Sequence, residues 1–103
     1  MKAVVCHAFG PPGIIGFEDM PRPSPGPGEV LVEVHAAGVN FTDLLAVEGR
    51  SQLKRRFPFT PGCEAAGVAI ECGPGVTRVS PGQRVLGTCV SGAYAEEVVF
   101  AEE

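Results

Sequence analysis

Hydrophobic and polar positions along the chain change their period several times. "KAVVCHA" (2–8) and "EVLVEVHAAGV" (29–39) are rich in Val, and in the second Val30, Val32 and Val34 alternate with Leu31, Glu33 and His35. Alternation with period two predicts strands. Between them, "MPRPSPGPGE" (20–29) removes amide donors and forbids helix, so it is expected to cross the surface extended. In "NFTDLLAVEG" (40–49) the period becomes helical, with Phe41, Leu44, Leu45 and Glu48 on one face. Asn40 or Thr42 can cap this short helix and Gly49 can stop it.

"RSQLKRRFPFTPG" (50–62) has no period and carries two prolines, which predicts an exposed loop with Lys54, Arg55 and Arg56 solvated. Three more strands are expected in "EAAGVAIECG", "QRVLGT" and "AYAEEVVFA", separated by Pro-Gly and Gly-Pro turns. Five or more short strands, glycines at corners and one short helix predict a mainly β fold, a closed or partly open β-barrel.

Composition narrows the function classes. The 103 residues fit one domain, and Gly 14 with Pro 10 beside 45% hydrophobic residues indicates a turn-rich β protein, not a disordered chain. A net charge of −4 opposes nucleic-acid binding, which calls for surplus Lys and Arg. The uncharged stretch "AAGVNFT" is too short and polar to cross a bilayer, and "MKAVVCHAFG" has no signal-peptide core. Cys6, Cys63, Cys72 and Cys89 show no C-x-x-C spacing and are expected to be reduced thiols of a cytoplasmic protein.

Cys63 beside Glu64 is the sharpest candidate for chemistry. A zinc site needs three or four converging Cys, His or carboxylate ligands, and these are scattered. Cys6 and His7 point to opposite faces, and His35 shares a face with Glu33. A nucleophilic thiol needs a lowered pKa, whereas Glu64 would raise it, so Cys63 is read as a small, half-buried thiol. Cys72 and Cys89 are read as hydrophobic filler. Asn40, Phe41 and Asp43 fall at a strand-to-helix junction, where polar side chains cap backbone N–H groups. Neither G-x-G-x-x-G nor G-x-x-x-x-G-K-[ST] occurs, so no usual phosphate cradle is present, and no G-x-S-x-G supports a serine hydrolase.

"GEVLVEVHAAGVNFTDLLAVEGR" (28–50), "FPFTPGCEAAGVAIECGPGVTRVSPGQRV" (57–85) and "SGAYAEEVV" (91–99) together resemble the N-terminal half of medium-chain dehydrogenases/reductases, in particular the zinc-free quinone oxidoreductases. The resemblance spans nearly the whole chain and implies a GroES-like barrel, the substrate-side wall of an enzyme that transfers hydride from NADPH to quinones or other conjugated carbonyls such as enones. It implies that residues 1–103 are one GroES-like domain of a longer enzyme, truncated before its Rossmann partner and inactive alone. Strand edges opened in this way are expected to pair with a second copy as a homodimer.

By the same resemblance, Asn40 matches an asparagine near the nicotinamide and Asp43 an acidic residue that orients groups in the wall. Phe41 accompanies them at the cofactor, while Leu45, Ser51, Cys63, Glu64 and Tyr94 fall to the substrate pocket. Zinc-dependent alcohol dehydrogenases of the superfamily carry Cys where this chain has Asn40 and His where it has Cys63, and their four-cysteine lobe is missing from "GQRVLGTCVSGAYAEE". No zinc is therefore expected. Relatives often carry Tyr near Ser51 and near Leu45; without those phenols the pocket is expected to be more open and to hydrogen-bond a carbonyl less. A zinc-dependent alcohol dehydrogenase half and a non-enzymatic assembly module of the co-chaperonin kind are the alternatives.

Overall fold

The computed structural model describes residues 1–51 and 55–102. Two antiparallel sheets form the chain. Strands β1 (Lys2–Val5) and β2 (Gly16–Asp19) make a two-stranded ribbon. Strands β3 (Glu29–Ala37), β4 (Glu64–Cys72), β5 (Arg84–Thr88) and β6 (Glu97–Ala101) make a sheet in the order β5-β4-β3-β6. The one α-helix among the described residues, α1 (Phe41–Glu48), follows β3. The sheets do not close on each other through a continuous ladder, so the fold is a partly open roll, mainly β with one short helix, as expected.

The ribbon joins the sheet through the segment before β6. Ala3 bridges to Ala95, the Val4 N–H donates to the Tyr94 carbonyl at 2.8 Å, and the Glu96 N–H donates to Lys2 at 3.1 Å. On its other side the segment donates from Ala93 to Gly62 and from Tyr94 to Pro61. Residues 93–96 are thus held from two directions, which matters for the Tyr94 side chain.

Strand β3 is the spine because its first half is covered on both faces: Val30, Leu31 and Val32 are all buried. The predicted alternation holds on the outer half, where Glu33 and His35 are exposed and paired to each other at 3.0 Å. Register shifts at Leu31/Val32 and Val34/Ala36 mark bulges that bend the strand. Opposite the second, Gly67 leaves no room for a side chain, since a Cβ there would overlap the Glu33 carbonyl oxygen. Val30, Val32, Ala65, Ala69, Ala93, Val98 and Phe100 form the main core. The Phe100 ring of β6 reaches across the interior to Gly87 of β5, where a Cβ would come within 2.8 Å of it. Small residues on the inside of β4 and β5 let the sheet curl around one aromatic ring.

Four expectations need correction. Strand β2 was not foreseen: its residues are nearly all exposed, with Phe17 82% accessible, so no buried face imprinted a period on the sequence. The stretch before β4 is not simply an exposed loop. Phe59 is buried, exchanges both backbone hydrogen bonds with Cys6 at 2.8 and 3.1 Å, and joins Cys6, Ala46 and Val47 in a second small core. Arg55 is not merely solvated either; it donates to the Val90 carbonyl at 2.9 Å and stacks its guanidinium 5.8 Å from the Phe59 ring centre. Lys54 lies outside the described residues. Strand β6 begins at Glu97, so Tyr94 is not a strand residue.

Candidate functional site

The site is built at the corner where β3 turns into α1. Asn40 stands at the N-cap with extended backbone (φ −129°, ψ 161°), and Gly49 ends the helix in the left-handed region (φ 78°). The expected caps are therefore in place. The buried stripe of the helix differs from the expected one: Asp43, Ala46 and Val47 face inward, while Phe41 is 71% exposed. Positions 43, 46 and 47 also share one helical face, but a face containing a carboxylate does not read as apolar.

Asp43 is 4% exposed, and it is the one buried charged side chain among the described residues. A buried carboxylate is costly unless its oxygens are satisfied. Here Oδ2 accepts the Asn40 backbone N–H at 2.9 Å and the Tyr94 hydroxyl at 2.6 Å, while Oδ1 accepts the Cys63 thiol at 3.4 Å. The carboxylate ties the helix start, the strand entry at Cys63 and the segment before β6 to one point. Gly62 permits this closeness: its φ is +105°, and a Cβ would stand 2.7 Å from the Tyr94 ring. Asp43, Cys63 and Tyr94, separated widely in sequence, thus form one cluster with the backbone of Asn40.

The remaining candidates are placed differently. Glu64 is exposed and folds over Gly38, on a shallow groove of about 360 Å³ lined by Ala36, Ala37, Leu86, Gly87 and Thr88. Cys63 and Glu64, adjacent in sequence, accordingly serve different places, as alternation along an extended chain requires. Asn40 and Phe41 are exposed at the corner beside Val39, itself 82% exposed. Leu45 and Ser51 are half-buried, Leu45 within α1 and Ser51 two residues beyond Gly49. Among the described residues no three His, Cys, Asp or Glu side chains converge as metal ligands.

Electrostatics follow from this packing. Burial first, then the bond to Asp43 and its charge, push the Cys63 thiol up, with Thr42 and Arg55 opposing. The direction matches the sequence expectation, but the carboxylate responsible is Asp43, not Glu64. Burial also pushes the Cys89 thiol up, reinforced by Cys63. The Tyr94 phenol is driven far above its ordinary value by desolvation and then by the bond and charge of Asp43. At neutral pH the cluster is therefore a carboxyl group receiving two protonated donors, with no thiolate or phenolate to act as a base. It is suited to fixing the corner in place.

Residues 26–103 match the alcohol dehydrogenase GroES-like domain family, and the chain belongs to that family. It is the N-terminal, GroES-like domain type of the quinone oxidoreductases within the medium-chain dehydrogenase/reductase superfamily. Similar proteins include mouse quinone oxidoreductase-like protein 2, 44% identical over 98 residues that span 95% of this chain and 27% of the mouse protein. A Moraxella alcohol dehydrogenase is 46% identical over 82% of this chain and 25% of its own length. The structure of Escherichia coli quinone oxidoreductase complexed with NADPH superimposes with a TM-score of 0.92 at 27% identity, covering 98% of this chain and 31% of that one. The chain thus spans roughly a quarter to a third of the relatives it matches.

Proposed function

We propose that this domain is the substrate-side half of an NADPH-dependent oxidoreductase that transfers hydride to quinones or other conjugated carbonyls. The observation that carries the reading is the Asp43 cluster, which spends a buried carboxylate on holding the β3–α1 corner rigid. Such a corner is where a reacting carbonyl and a nicotinamide can be held in register, and orientation of this kind is the protein's main contribution when a cofactor carries the chemistry.

The fit to the cofactor is partial in an informative way. Asn40 and Phe41 offer an exposed polar and an exposed aromatic surface side by side, suited to a nicotinamide face. The chain has no glycine-rich phosphate cradle, so the pyrophosphate belongs to a Rossmann domain elsewhere in the parent enzyme. When bound, NADPH supplies the hydride. Asn40, its backbone pinned by Asp43, would orient the carboxamide or the acceptor through its side chain; Cys63 and Tyr94 keep their protons and act as fixed donors to Asp43. Support for a zinc-free mechanism comes from the donor set: Asn40 is no zinc ligand, and Cys63 directs its sulfur at Asp43 while Glu64 turns to the other side.

The test is zinc content of the purified full-length enzyme, measured beside NADPH oxidation with a panel of quinones and enones. Turnover with little zinc is expected. Stoichiometric zinc, lost together with activity in Cys63→Ala, would overturn the reading in favour of the alcohol dehydrogenase chemistry that the Moraxella relative's name carries.

A further inference from the structure

Two of the four cysteines stand opposite each other across the β4–β5 pair. The ladder runs Ala66↔Leu86, Ala65↔Gly87, Glu64↔Thr88, and its next step is Cys63 against Cys89. The Cys89 N–H donates to the Cys63 carbonyl at 2.8 Å, so the pairing continues to that step. Residues opposite one another in an antiparallel pair project side chains to the same face, with Cα atoms about 5.5 Å apart where backbone bonds join them. Disulfides span Cα separations of about 4.4–6.8 Å.

The sulfur positions carry the point further. Cys63 Sγ lies 3.6 Å from the carbonyl oxygen of Val90, the neighbour of Cys89, and Cys89 Sγ lies 3.6 Å from that of Gly62, the neighbour of Cys63. Each thiol reaches over the opposite chain. The other two cysteines are engaged elsewhere: Cys6 is fully buried and donates to Ala8, and Cys72, at the far end of β4, donates to Val79.

We propose that Cys63 and Cys89 are an oxidisable dithiol, closed to an intramolecular disulfide by a low-molecular-weight disulfide of the oxidised-glutathione class. The Cys63 thiolate, on the less buried of the two residues, attacks one sulfur of the oxidant and expels a small thiolate, which takes up a proton. The Cys89 thiolate then attacks the Cys63 sulfur of the mixed disulfide and releases the second small thiol. Two protein thiols become one disulfide, and one small disulfide becomes two thiols. Closing the bond removes the Cys63 S–H from Asp43, leaving that carboxyl group to Tyr94 and Asn40. The inference concerns the thiols alone and holds whatever acceptor the parent enzyme reduces.

Burial raises both thiols, so attack is slow at neutral pH and accelerates about tenfold per pH unit until they ionise. The experiment treats the full-length protein with oxidised glutathione at pH 7.5 and about pH 9, alkylates the remaining thiols, and maps the peptides by mass spectrometry. The expected result is a linked pair of peptides carrying Cys63 and Cys89, formed faster at the higher pH, lost in Cys63→Ser and in Cys89→Ser, and kept in Cys72→Ser. The proposal is overturned if both residues remain alkylatable, if Cys63 stays a stable mixed disulfide beside a free Cys89, or if either links to a different cysteine. Mapping of the unsubstituted protein decides the matter even if a serine variant fails to fold.

Discussion

Tyr94→Phe removes one atom and tests the Asp43 cluster directly. The ring remains against Gly62, so packing is conserved, but Oδ2 of a carboxylate that is 4% exposed loses its 2.6 Å donor. A hydrogen bond to a charged group contributes about 1.5–3 kcal/mol. Tyr94 is only part-buried, which places the expected loss in the lower part of that range, about 1.5–2 kcal/mol. In a domain of this size each kcal/mol moves Tm by roughly 4–8 °C, so a fall of about 6–16 °C is expected.

The pH dependence adds a second, sharper readout. The phenol pKa is raised on folding, first by desolvation and then by Asp43. A raised folded pKa gives a contribution that is complete below the unfolded value near 10 and is lost as pH rises through the folded one. The stability gap between the wild type and Tyr94→Phe should therefore be constant from pH 7 to about 9 and narrow above about 10. Urea denaturation followed by circular dichroism at several pH values measures the gap. A gap below about 0.5 kcal/mol at pH 8, well under the range for a bond to a charged group, would refute the placement of the hydroxyl on Asp43. So would a gap that widens above pH 10.

Two backbone positions give independent checks. Gly49→Ala puts a side chain at φ 78°, with its Cβ 2.7 Å from the Phe9 ring; the left-handed cost of about 1–2 kcal/mol plus that contact should lower Tm measurably. Gly67→Ala drives a Cβ into the Glu33 carbonyl at the bulge, where neither partner is a flexible side chain. It should cost at least the roughly 1–3 kcal/mol of an overpacked core, read as a lowered urea midpoint or loss of soluble protein.

Much of this architecture is local and was legible in the sequence. Period-two alternation of Val placed β3, Val-rich or turn-bounded stretches placed the other strands of its sheet, and Asn40 and Gly49 marked both ends of α1, because capping and left-handed backbone are settled by a residue and its near neighbours. The motif resemblance carried the family, and Asn40, Asp43, Cys63 and Tyr94 could all be named as candidates. Their arrangement could not. Glu64 was the nearer carboxylate in sequence, yet alternation turned it to the other face and brought Asp43 to the thiol instead. Strand β2 was hidden because a strand exposed on both faces leaves no hydrophobic period, and Phe59 was hidden because its burial depends on a bridge to Cys6. The sequence by itself determined the strands other than β2 and where the helix starts and stops, since those follow from steric and hydrogen-bonding preferences within a few residues. Only the tertiary structure decided which carboxylate the thiol meets and which cysteines face each other, because β-sheet register brings together residues from distant parts of the chain.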